Sequence, residues 1–114
     1  MKDLYRVGNE AGGAFEPYVV DGVDAGEVML VRKRSNEGRE MLVGIYRCAH
    51  EYSGASTYDH DESMYILEGE AKIEVDGEDG TLHLRANDVA TFRKGTKVSF
   101  TQSTNFKKFF VINE

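Results

Sequence analysis

The sequence predicts an all-β fold, either a sandwich or a closed barrel. Three observations carry this expectation. Short strand-like runs recur along the chain from Pro17 onward. Gly- and Asp-rich turn signals separate them, the strongest being DGEDG at 76–80, because Asp and Gly tolerate the positive φ of tight turns. The best helix candidate, 81–92, places Leu82, Leu84, Val89, Ala90 and Phe92 off any 3.6-residue period. Regularly spaced strands with such turns close into sandwiches or barrels.

The elements follow in order. Residues 1–16 read as a flexible N-terminal arm, in which GNEAGGAF holds three Gly. Residues 17–114 read as one β domain. PYVVD and EVMLVRK are the first two runs, with DGVDAG between them. The turn SNEGRE leads into MLVGIYRCA. The polar stretch YSGASTYDHDE reads as a connection. SMYILEG, EAKIEV, TLHLR, VATFR, KVSFTQ and KKFFVI complete roughly nine strands.

A chain of 114 residues supports a single core. Its 14 basic and 20 acidic residues give a net charge of −6, which argues against duplex nucleic acid as a partner. No apolar stretch approaches the roughly 18–20 residues that span a bilayer. MKDLYRVGNE lacks the apolar centre of a signal peptide, so a cytoplasmic location without membrane attachment is expected. The chain holds three His (His50, His60, His83) and one Cys (Cys48). An internal disulfide and a Cys-rich zinc site are therefore excluded.

Strand alternation sorts residues 41–50 into two faces. Met41, Val43, Ile45, Arg47 and Ala49 read as plain core apart from Arg47. Leu42, Gly44, Tyr46, Cys48 and His50 read as a cavity wall, or as space-filling near a barrel mouth. His50 reads as a surface residue at a strand end, and His83, between Leu82 and Leu84, as solvent-facing.

From Gly54 to Gly95 the chain resembles the two motifs of the cupin superfamily. Glu62, then SMYILE, then Gly69 fit the Glu-to-Gly spacing of the first motif. Asn87-Asp88, VATF and Arg93-Lys94-Gly95 echo the second. DESMYILEGE at 61–70, KGT at 94–96, KKFFVI at 107–112 and GIYRC at 44–48 resemble the Cupin_3 (DUF861) subgroup of small single-domain proteins. The resemblance spans about residues 40–113. It implies an RmlC-like jelly roll, that is, a double-stranded β-helix barrel. It also implies a homodimer formed by exchange or addition of N-terminal strands. The subgroup includes ureidoglycine aminohydrolase-like proteins and an ethanolamine-utilization protein, so it does not fix an activity.

The departures concern the metal ligands. The two His of the first motif fall on Ser56 and Tyr58, and the His of the second on Val98. Only Glu62 remains. His60 would share a face with Glu62 and Tyr58 if the strand ran unbroken through all three. A rebuilt site on His60 and Glu62, with Gln102, would suit a divalent metal such as Fe, Mn, Ni or Zn. The alternative is no metal. A carboxylate at the inward position of Glu62 needs a metal, a proton or a cationic partner. Lys108 is the candidate cation. Lys107 and Lys108 alternate, so only one of them faces inward.

Two functions stay open at this point. One is an enzyme acting on a small polar metabolite, with Glu62, His60 and Tyr58 as the catalytic cluster. Tyr46, Cys48, Phe92, Phe100, Gln102 and Lys108 would then contact the substrate, with Phe110 on the same wall. The other is a non-catalytic small-molecule-binding or accessory module with a degenerate metal site.

Overall fold

The computed structural model describes residues 5–33 and 41–113. The start of the arm, the turn SNEGRE and Glu114 lie outside the described residues. Ten strands are present among them: β1 (Glu16–Val20), β2 (Val23–Arg32), β3 (Met41–Cys48), β4 (Tyr52–Thr57), β5 (Asp61–Glu68), β6 (Glu70–Val75), β7 (Leu82–Arg85), β8 (Val89–Phe92), β9 (Lys97–Gln102) and β10 (Phe106–Asn113). They form a six-stranded sheet in the order β1-β2-β3-β10-β5-β8 and a four-stranded sheet in the order β4-β9-β6-β7. All pairings are antiparallel. No described helix is long and apolar enough to cross a membrane.

The sequence dictates which face of each strand turns inward. In β5, Glu62, Met64 and Ile66 are buried while Asp61, Ser63, Tyr65 and Leu67 are exposed, the period of two expected of a half-buried strand. Tyr46 and Cys48 from β3, Phe106 and Phe110 from β10, Ala71 and Ile73 from β6, Phe92 from β8 and Val98 from β9 meet Met64 and Ile66 in one core between the sheets. Ile66 is fully buried. Truncating such a residue to Ala costs about 2–5 kcal/mol.

Two turns show how local chemistry sets the topology. The β1–β2 hairpin closes at Asp21-Gly22, both with positive φ (50° and 79°), the backbone that Asp-Gly adopts most readily. The chain therefore re-enters a strand at Val23, earlier than the run EVMLVRK indicated. At Gly44 a side chain is impossible for a different reason. The backbone of Met29 in β2 passes so close that an added Cβ would collide with its carbonyl oxygen.

Two sequence expectations are corrected. The stretch YSGASTYDHDE is not all connection, because Tyr52–Thr57 forms β4, paired with β9 from Tyr52↔Gln102 to Thr57↔Lys97. β4 is a sheet edge and buries little, so its Ser, Gly and Thr residues do not show an apolar alternation. The faces of β3 are also reversed from the core assignment. Met41, Val43 and Ile45 are only half-buried, on the outer face, while Gly44, Tyr46 and Cys48 are buried. Polar atoms are tolerated inside because Tyr46 finds partners there, as described below.

Candidate functional site in the barrel interior

Among the described residues, one ion pair lies in the interior between the sheets. Glu62 is 8% exposed. Its carboxylate accepts a hydrogen bond from the Lys108 ammonium at 2.8 Å. Alternation on β10 points Lys108 inward and Lys107 outward. Lys108 is in register with Tyr46 on one side and Ile66 on the other, whereas Glu62 is in register with Ile112 and Phe92. The lysine side chain therefore runs along the barrel to reach its partner. Its ammonium also lies 5.7 Å from the centre of the Tyr46 ring, in cation–π range.

Tyr46 anchors a second polar group. Its hydroxyl donates to the Ala25 carbonyl at 2.5 Å and accepts from the Gln102 side-chain amide at 2.9 Å. Gln102 is 8% exposed and comes from the opposite sheet, so the bond ties the two layers together. Burial raises the Tyr46 phenol well above its ordinary range, and it stays protonated.

Tyr58 lies in the connection between β4 and β5. The KGT turn holds its backbone: its N–H donates to Thr96 O at 3.0 Å and its carbonyl accepts from Gly95 N at 2.7 Å. Its ring stacks on Phe92 with centroids 5.0 Å apart and planes at 5°. Burial, and then the charge of Glu62, hold the Tyr58 phenol far above its ordinary range.

His60 is not on a strand shared with Glu62. β4 ends at Thr57 and β5 begins at Asp61, so Tyr58 to His60 form a bend. Asp61 pins that bend by accepting from the Lys94 amide at 2.7 Å. His60 is half-buried there. Burial nevertheless alternates through the bend, with Tyr58, His60 and Glu62 more covered than Asp59 and Asp61.

The remaining predicted residues divide between places. Phe92 is buried at the Tyr58 stack, and Phe110 lies in the core. Phe100 is half-buried and tilts against Tyr52, with centroids 5.7 Å apart. Cys48 is buried but does not join the Glu62 group. Its thiol donates to the His50 carbonyl at 3.2 Å, at the end of the barrel where it is in register with Phe106. His50 is exposed, with a ring nitrogen 2.9 Å from the Asp24 carbonyl. His83 does not simply face solvent. It is half-buried, accepts from Arg85 at Nδ1 (2.9 Å) and directs Nε2 towards the Glu70 carboxylate at 3.3 Å.

Two site residues escaped the sequence reading. Tyr18 of β1 packs edge-on against Tyr46, with centroids 6.3 Å apart and planes at 87°. Burial, then Tyr52 and Glu62, raise its phenol. Tyr52 sat in the stretch read as a connection. Alternation within PYVVD was the one signal that could have placed Tyr18.

The register brings together the positions where a metal-binding cupin would carry ligands. Ser56 and Val98 face each other directly across β4 and β9. Yet valine has no donor atom, Tyr58 is a neutral stacked phenol, and the Glu62 carboxylate already holds the Lys108 ammonium. A cation at Glu62 would meet that ammonium. Among the described residues no group of three or more His, Cys, Asp or Glu side chains is placed to hold a metal ion. These residues do not fit the metal that the fold family implies.

Two antiparallel sheets closed around a core, with chemistry directed inward, define a jelly-roll barrel of the cupin class. The family model of the EutQ-like cupin domain, Cupin_3, matches residues 51–110, and the chain belongs to that family. Solved structures agree on the fold. The EutQ protein of Clostridium difficile superposes with a TM-score of 0.65 at 18% identity, over 83% of this chain and 74% of that one. KdgF from a Halomonas species gives 0.69 at 13% identity, over 92% and 89%. The iron(II) form of HppE in complex with substrate gives 0.73 at 15% identity, over 98% and 62%. None of the curated proteins matches the sequence.

Proposed function

We propose that this protein binds a small polar metabolite inside the barrel, with the Lys108 ammonium as the fixed cation in place of a metal. The observation that carries this reading is the Lys108–Glu62 pair at 2.8 Å. A buried pair supplies one donor centre and one acceptor centre of fixed geometry. The Tyr58–Phe92 stack, Tyr18 and the Tyr46–Gln102 pair add aromatic walls and hydrogen-bonding groups. Such a mixture of apolar surface and few polar groups suits a small ligand. It favours the binding or accessory module over the acid–base enzyme, because Glu62 is committed to Lys108. The proposed location is the cytoplasm, where a buried free thiol such as Cys48 stays reduced.

A homodimer belongs to the same proposal. The outer face of the six-stranded sheet carries Ile45, Phe109, Tyr65 and Val89 in one row across β3, β10, β5 and β8. Val89 is 73% exposed. The neighbouring Arg47 and Lys107 are paired with Glu27, Glu10 and Glu68 within the same chain. A second copy can therefore cover the apolar row face to face with neither cation left unpaired beside it.

The binding reading is tested by thermal shift against small organic acids, amines and sugar acids. At least one compound is expected to stabilise the wild type and to lose its effect in Lys108→Met. Equal stabilisation of both proteins by every active compound would overturn the role given to Lys108.

A further inference from the structure

Outside the barrel, the arm places Glu10 over two cations. Arg47 donates through Nη1 to Glu10 Oε2 at 3.0 Å, while its Nε is held by Glu27 at 2.6 Å. Lys107 lies 3.0 Å from Glu10 Oε1 and 2.9 Å from Oε2, with Glu68 further away at 3.4 Å. Both carboxylate oxygens are thus engaged by donors that converge at carboxylate spacing. These donors hold the Glu10 carboxyl below its ordinary range.

The segment that carries Glu10 is not part of either sheet. Contacts besides Glu10 itself also hold it on the protein. The Phe15 ring covers the Arg47 guanidinium at 3.5 Å. Gly13 lies against the Met29 side chain, and Gly8 against Val31. Glu10, Arg47 and Lys107 also border a cavity of about 320 Å³ that extends past Asp24, His50 and Cys48. That volume falls within the roughly 300–1,000 Å³ of small-molecule sites.

We propose that Arg47 and Lys107 form a carboxylate-binding site, that Glu10 occupies it as a tethered ligand, and that an amino-acid-sized zwitterion binds there in its place. Without Glu10 each cation keeps one carboxylate, Glu27 or Glu68, and both retain a donor aimed at the vacated position. One incoming carboxylate restores the original balance. The rest of the wall offers Asp24 and no further Lys or Arg. It favours a positive group on the far end of the ligand and opposes a second carboxylate. The site lies at the end of the barrel, where Cys48 and Phe106 line it, and includes neither Lys108 nor Glu62. Because Glu10 is tethered, it competes at an effective concentration on the order of millimolar.

Glycine, acetate and succinate are the probes, titrated into the full chain and followed by NMR at the Arg47 side chain and the Lys107 amide. In Glu10→Ala, glycine is expected to bind about ten-fold tighter than in the wild type, because the tethered competitor is gone. The order expected is glycine, then acetate, then succinate. Adding Lys107→Met to Glu10→Ala should abolish binding. Glu10→Gln removes the charge at constant shape, so it repeats the test should the alanine variant disturb the arm's packing. Glycine binding that is absent or no tighter in both Glu10 variants would overturn the site. Preference for succinate would overturn the zwitterion assignment.

Discussion

The Lys108 ammonium and the Glu62 carboxylate meet at 2.8 Å although their backbones lie at different levels of the barrel. Lys108 is level with Ile66, and Glu62 is level with Ile112. The pair spans β10 and β5, neighbouring strands inside the larger sheet. Their side chains are 19% and 10% exposed, so water screens them little.

Breaking this pair from one side strands a buried charge. Lys108→Met is expected to lower stability by about 3–5 kcal/mol, and Lys108→Met with Glu62→Met by less than the sum of the single changes. Urea denaturation of the four proteins measures both quantities. A loss below about 1 kcal/mol in Lys108→Met would mean that solvent already serves Glu62.

Gly44→Ala tests the close approach of β2 and β3. The new Cβ would overlap the Met29 carbonyl, which is backbone and cannot swing aside. A loss of at least about 2 kcal/mol is expected, read by thermal or chemical unfolding. An alanine variant as stable as the parent would show that the strands separate there at no cost.

The all-β class and the boundaries of β6 were legible in the sequence because alternation and Gly-Asp turns report directly on local geometry, whereas β5 was read only from Ser63 and the inward position of Glu62 came from the cupin resemblance. β4 was not legible, since an edge strand of Ser, Gly and Thr leaves no apolar pattern. The face of β3 was misread because hydrophobicity alone favoured Met41, Val43 and Ile45. What overrides it is tertiary: the Ala25 carbonyl and Gln102 reach Tyr46 from other strands. The Glu62–His60 grouping was read from a continuous strand, whereas β5 begins at Asp61 and His60 lies in the bend before it. The Lys108–Glu62 candidate rested on subgroup resemblance and parity, and the distance came only with the structure.

The apolar row on the outer face governs assembly. Val89→Lys, on the edge strand β8, introduces a charge at an exposed position and leaves the core untouched. Light scattering should give a dimer for the parent chain and a monomer for the variant. A dimer in both would move the interface elsewhere, and a monomeric parent would remove it.

The arm should respond to acid. Glu10 titrates below its ordinary 4.5 in the folded protein because Lys107 and Arg47 donate to it. Its contribution is therefore complete above that ordinary value and is lost as pH falls through the lowered folded one. Glu27 and Glu68, which share the same two cations, set the charge that remains. NMR relaxation of residues 8–13 should report a held arm at neutral pH and release only below pH 4.5. Glu10→Gln should show a released arm at neutral pH. Retention of the arm in that variant would show that Phe15 and Gly13 suffice.

The claim that Lys108 stands where a metal would otherwise serve Glu62 is tested most directly by elemental analysis of protein purified without chelators, beside Glu62→Gln. The expected result is far less than one equivalent of Fe, Mn, Ni or Zn in both proteins. Near-stoichiometric metal in the parent that disappears in Glu62→Gln would contradict it.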